Sequence, residues 1–348
     1  LQLDAISASI RLISYDAGQG SDTVGLYVAA LMALFAILFG TRTLNLTDKH
    51  PGLVLTIAVE SVVKLVGLCV VGIFVCYGLF NGPFDLIAQA AVHPSAREVL
   101  YADSAPLVYL SHVLLGVCSL FVLPRQFHMN FVECNGEGEL ATARWLFPAY
   151  LVGMTTFILP IAIAGHILLD TSVVKTDAFV LALPLSTGNI GVSLAALIGG
   201  LSATTSMIIV ATLALGIMMS NNLITPIWLK IRLKNDPQLT MRPATLLTVR
   251  RLTVLVVLSV AYWYHVNVSQ SAPLVKSGVI AIALLGQLLP AMLFSLYWQR
   301  TAKWAVQSAI LVGFVCWVMW LLYPSILSSY YFEKAPSELQ LGTSFFAC

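Results

Sequence analysis

TIAVESVVKLVGL, residues 56–68, lies inside an apolar run from Gly52 to Phe80 that only two charged side chains interrupt, Glu60 and Lys64. The run exceeds the roughly 20 residues an α-helix needs to cross about 30 Å of hydrocarbon, so the segment reads as a membrane span. An ionisable group at bilayer depth costs roughly 2.5–3.5 kcal/mol on insertion scales, and each charge therefore requires a partner or a water-filled cavity. Glu60 and Lys64 stand at i and i+4 with the acid on the N-terminal side, which puts them on one helix face where they can satisfy each other. Two readings follow: an internal ion pair that sets the orientation of the helix in its bundle, or a pair that lines a polar path for solute or protons.

The rest of the chain has the same character. Of its 348 residues 59% are hydrophobic and only 10% charged, against roughly 25% charged in soluble domains. Several apolar stretches reach spanning length and none alternates as a membrane barrel strand does, so the fold class is an all-α polytopic membrane protein. Hydropathy places spans near 22–41, 52–80, 106–124, 145–169, 189–225, 250–268, 273–298 and 303–326, eight in all, after a partial helix at the start. The helix over 189–225 is longer than one crossing needs and is expected to be tilted, broken or extended beyond the bilayer. Pro106, Pro148, Pro226 and Pro273 fall near helix ends, where a missing N–H costs least. No linker or low-complexity stretch divides residues 1–348, which read as a single domain. The opening residues, LQLDAISASIRLISYD, look like the end of a helix already under way, so the chain is expected to be a fragment lacking preceding helices.

Orientation follows from the loop cations. Arg42, Lys49, Arg125, Arg144, Lys230, Arg232, Lys234, Arg242, Arg250, Arg251, Arg300 and Lys303 fall in one set of loops, and Arg11, Arg97, Lys175, Lys276 and Lys334 in the other. The first set is assigned to the cytoplasm. The net charge of +2 leaves no basic footprint for nucleic acid, and no cation patch is interleaved with aromatics. The six cysteines show no C-x-x-C spacing and the six histidines no ligand spacing, which gives no metal site, redox motif or enzymatic constellation and no cofactor.

Two further clusters carry polar side chains. In LPRQFHMNFVE, residues 123–133, Pro124 ends the short helix 106–124 and leaves Arg125, Gln126 and His128 at the cytoplasmic mouth, either simply solvated or at a gate. In GGLSATTSM, residues 199–207, Ser202, Thr205 and Ser206 fall at i, i+3 and i+4 on one face, with Thr204 pointing elsewhere. Such hydroxyls suit either a hard monovalent cation or helix packing, which Gly199, Gly200 and Ala203 also favour.

These clusters, in this order, resemble the sodium/solute symporter superfamily, which includes the sodium/proline symporters. Gln126 and His128 occupy the Gln and His positions of its G-Q-P-H-type motif, with Arg125 and Phe127 in place of Gly and Pro. The stretch GGLSATTSMIIVATLALGIMMSNNL resembles its S-T-x-S-type helix. TDKHPGLVLTIAVESVVKLVG, FVLPRQFHMNFVE, RWLFPAYLVGMTTFILPIAIAG and GLSATTSMIIVATLAL are more similar still to the transporter-like input domain of CbrA-type sensor histidine kinases.

The resemblance implies a LeuT-type core of two inverted repeats that binds a small solute near mid-membrane by alternating access. Core helices one, two and most of three would precede this chain. It implies an amino acid of the histidine or proline type as solute, Na+ or H+ as coupling ion, a bacterial inner membrane, and a cytoplasmic kinase module as partner in the full-length protein. Glu60 matches an Asp near the start of core helix five, Lys64 has no equivalent, and His128 falls at the cytoplasmic gate. Ser202 matches the first hydroxyl of the sodium-binding pair and Ala203 stands at the second, leaving Thr205 or Ser206 to compensate. No kinase motif occurs within residues 1–348.

Overall fold

The computed structural model describes residues 2–13, 21–40, 51–101, 105–134, 136–170, 174–232, 243–267, 274–298 and 302–324. Among them every regular element is a helix and no strand occurs. The chain begins with α1 (Gln2–Ile13) and α2 (Ser21–Gly40). Next, α3 (Pro51–Ile73) runs on through a π turn, Phe74–Leu79. Two short helices follow, α4 (Pro83–Val92) and α5 (Pro94–Leu100), each with proline in its first turn, where the absent N–H would have no partner in any case. The helix α6 (Pro106–Val122) bends by 53° into α7 (Pro124–Phe127) and the π turn His128–Val132.

Proline spacing explains the next breaks. A proline ring collides with the carbonyl four residues earlier. Between α8 (Glu137–Thr156) and α9 (Ile158–Leu168) the helix fails at Phe157, just after the Thr156 carbonyl that Pro160 disturbs. Likewise α14 (Leu274–Gly286) stops four residues before Pro290, which lies in α15 (Leu288–Tyr297). Pro148, expected near a helix end, instead lies inside α8, because the helix starts earlier, at Glu137.

Between them stand α10 (Phe179–Ser186) and α11 (Ile190–Met218). The turn joining these two needs a left-handed residue, and Gly188 supplies it at φ 70°. Asn189 then caps α11 by accepting from the Val192 N–H. The long rod continues through the π turn Met219–Ile224 into α12 (Thr225–Arg232). It spans 42 residues, Ile190–Ile231, without a break, so Pro226 does not end it. The remaining helices are α13 (Pro243–Asn267) and α16 (Lys303–Trp317), the latter continued by the π turn Val318–Leu322.

Among the described residues six helices are long and apolar enough to cross a bilayer: Val54–Leu79, Gly138–Leu168, Ile190–Ile231, Leu247–Val266, Ser277–Tyr297 and Lys303–Leu322. The bent pair Pro106–Val122 and Pro124–Val132 makes a seventh if counted as one span. The remaining expected span, 22–41, corresponds to α2, whose apolar segment is described over Gly25–Leu34. By length and composition this is a multi-pass helical membrane protein.

The described chain forms two compact units. The larger holds α1–α5, α8–α12 and α13 up to Trp263; the smaller holds α6, α7 and α14–α16. The tightest core of the larger unit gathers Val71 and Val75 of the α3 rod with Leu86, Ala90, Ala96, Ile163 and Leu183, the last five from helices α4, α5, α9 and α10. A second core joins Leu3, Ile6, Ala29, Met32, Ile208 and Val254. The smaller unit packs around Leu115, Ile280, Ala283, Trp317 and Leu321.

Candidate functional site

Glu60, Lys64, Gly67 and Val71 follow the i, i+4, i+7, i+11 progression that makes one stripe along α3. That stripe meets α11, the main packing partner of α3. The helices touch backbone to backbone at two glycines. A Cβ placed on Gly67 would sit 2.9 Å from the Ala195 carbonyl oxygen and 3.0 Å from Gly199 Cα, and one placed on Gly199 would sit 3.2 Å from Gly67 Cα. Small residues permit such an approach, and dispersion at close range binds helices that have no hydrophobic gain from leaving lipid.

Polar contacts continue from this crossing toward the N-terminal half of α3. The Ser202 hydroxyl donates to the main-chain carbonyl of Glu60 at 3.0 Å. Ser206, one turn on, lies beside the Glu60 side chain. Residue numbers therefore fall along α3 as they rise along α11, and the two helices run antiparallel.

The expected mutual pairing of Glu60 with Lys64 does not occur. No ion pair joins them among the described residues; Glu60 turns to Ser206, while the Lys64 ammonium sits 5.7 Å from the ring centroid of Tyr150 on α8. An aromatic face at that distance attracts a cation. Tyr150 is itself held by donating its hydroxyl to the Ser61 carbonyl at 3.3 Å. The physical reason is competition: i, i+4 spacing permits a pair, but partners on two neighbouring helices hold the side chains apart. Both charged residues are half-buried.

The hydroxyl face is occupied on its donor side. Thr205 donates to the Leu201 carbonyl at 2.9 Å and Ser206 to the Ser202 carbonyl at 3.1 Å. Thr204, which points elsewhere as expected, is buried and donates to the Gly200 carbonyl at 3.0 Å. With the protons of Ser202, Thr205 and Ser206 engaged by main chain, what these side chains offer a cation is oxygen lone pairs.

Gln126 and His128 belong to the smaller unit, so the residues singled out in the sequence divide between the two. Pro124 does not simply end a helix there. Leu123 is extended at ψ 121°, and Pro124 restarts a helical segment that carries Gln126 and His128, both half-buried. The adjacent Phe127 ring packs on Phe131 with centroids 4.9 Å apart. Arg250, expected among the solvated loop cations, is instead buried in α13.

Tyr150, Gly67 and the partner on which Gly199 packs were not read from the sequence as site features. A lone tyrosine in an apolar span reads as an interfacial anchor, and a glycine acquires significance only once its facing helix is known. Among the described residues no group of three or more His, Cys, Asp or Glu side chains could hold a metal ion. Compared with family models, curated proteins and solved structures, the chain matches none.

Proposed function

We propose that the chain is a transporter-like domain of the sodium/solute symporter type. In this reading it binds a small solute, an amino acid of the histidine or proline class, and alternates the access of its site between the two faces of a bacterial inner membrane. The reading extends to an input role for a cytoplasmic histidine kinase module, with Na+ or H+ as the coupling ion. The observation that carries it is the α3 stripe: two opposite charges, one turn apart inside a span, each turned toward a different neighbouring helix. Leaving opposite charges unjoined at such depth costs more than joining them, which favours a position kept for a polar guest. Purified protein in proteoliposomes should show saturable binding of labelled histidine or proline, with or without uptake. Absence of both binding and uptake across a panel of amino acids refutes the proposal.

A second reading, a signalling scaffold that keeps the helix bundle but moves nothing, is favoured by the Ser202 hydroxyl, which is spent on the facing backbone. Under that reading Ser202→Ala loosens the bundle and alters no ligand response. Under the first it also changes ion or solute dependence.

A further inference from the structure

Resting on the solute-binding reading just given, we infer that Glu60 and Lys64 are the two poles of a zwitterion site: the carboxylate takes the ammonium group of the solute, and the Lys64 ammonium takes its carboxylate. Both side chains leave the same face of α3, since they are separated by one turn. They are side chains of opposite type, and no ion pair joins them among the described residues. Each lies beside a neutral group, the Ser206 side chain for Glu60 and the Tyr150 ring for Lys64. Neither neighbour cancels a charge. Both poles therefore keep their attraction for an ion, and a guest with a single charge would satisfy one while leaving the other desolvated.

The surrounding contacts make this arrangement rigid. Below the poles the Gly67–Gly199 contact leaves no room between α3 and α11. Beside them, Ser202 pins the Glu60 main chain and Tyr150 pins that of Ser61. The backbone carrying both charges is thus tied to α11 and α8 within a turn of each pole. A solute with ammonium and carboxylate on one carbon offers one partner to each pole. A sugar, a simple amine or a simple carboxylate does not.

The test uses the full chain in lipid and three probes: histidine, histamine, which lacks the carboxylate, and imidazolepropionate, which lacks the ammonium. Proline, pyrrolidine and cyclopentanecarboxylate form a parallel set. The parent protein should bind the zwitterion more than about tenfold tighter than either truncated probe, because a charge-assisted hydrogen bond contributes more than the about 1.4 kcal/mol that a tenfold ratio represents. Lys64→Gln should weaken histidine and leave histamine unchanged; Glu60→Gln should weaken histidine and leave imidazolepropionate unchanged. This crossed pattern separates a binding role from mere loss of folding, which would weaken all probes alike. A parent protein that binds none of the probes overturns the solute-binding reading itself. Zwitterion binding that both variants keep, or lose without regard to which charge the probe lacks, overturns the pole assignment alone.

Discussion

The α3–α11 seam of the larger unit and the α14–α16 seam of the smaller are both pinned by side chains that donate to the main chain of the facing helix. In the first, Ser202 reaches the Glu60 carbonyl. In the second, the Trp317 indole N–H donates to the Ile280 carbonyl at 2.8 Å, and the Gln287 amide donates to the Gly313 carbonyl at 2.9 Å. Their glycines differ in kind. A Cβ on Gly67 would strike backbone atoms, whereas a Cβ on Gly313 would meet the end of the Gln287 side chain, 2.7 Å from Oε1. The first collision can be relieved only by separating two helices, the second by turning one side chain. The seams also differ in charge: Trp317, Gln287 and Gly313 are neutral, with Lys276 and Lys303 in the first turns of α14 and α16, whereas Glu60 and Lys64 stand within two turns of the Gly67–Gly199 contact.

The largest effect is expected from Gly67→Val, which should cost at least the about 1–3 kcal/mol typical of overpacking because no side chain can yield. Gly313→Ala should cost about 1 kcal/mol, the loss of the Gln287 hydrogen bond. Equal melting temperatures for these two variants in detergent would break the contrast. Trp317→Phe keeps the ring and removes the N–H that reaches the Ile280 carbonyl, and should destabilise the smaller unit by about 1 kcal/mol. Ser202→Ala should cost about 0.6 kcal/mol, the average for a hydrogen bond between membrane helices; thermal unfolding separates these values. The smallest term sharpens the charge comparison. A double-mutant cycle over Glu60→Gln and Lys64→Met should give a coupling below about 0.5 kcal/mol, whereas contacting partners in one ion pair would couple by up to about 3 kcal/mol.

Long apolar helices were legible because length and hydropathy carry their signal: the run 52–80 became α3 with its π turn, and 189–225 became the core of the unbroken rod. The short helices α4, α5 and α10 were not. At seven to ten residues they fall below any spanning length and read as loops, yet they supply Leu86, Ala90, Ala96 and Leu183, among the most completely buried residues of the chain. Their burial depends on packing against α9 and α11, which no local window contains. Proline positions were visible, but their effects were not: Pro160 and Pro290 break helices, while Pro148 sits within one. At the candidate site, the common face of Ser202 and Ser206 was legible from spacing alone. The partners of Glu60 and Lys64 were not, because i, i+4 geometry names one option and the neighbouring helices supplied two others.

Whether water reaches the charged part of the α3–α11 seam is the most direct measurement. Ser206→Cys, in a chain reconstituted in lipid, should react with a membrane-impermeant thiol reagent well above the background of the native cysteines, and saturating histidine or proline should slow the reaction. Labelling of that variant no higher than the background, with or without solute, would show a seam sealed among side chains and contradict a solute site between α3 and α11.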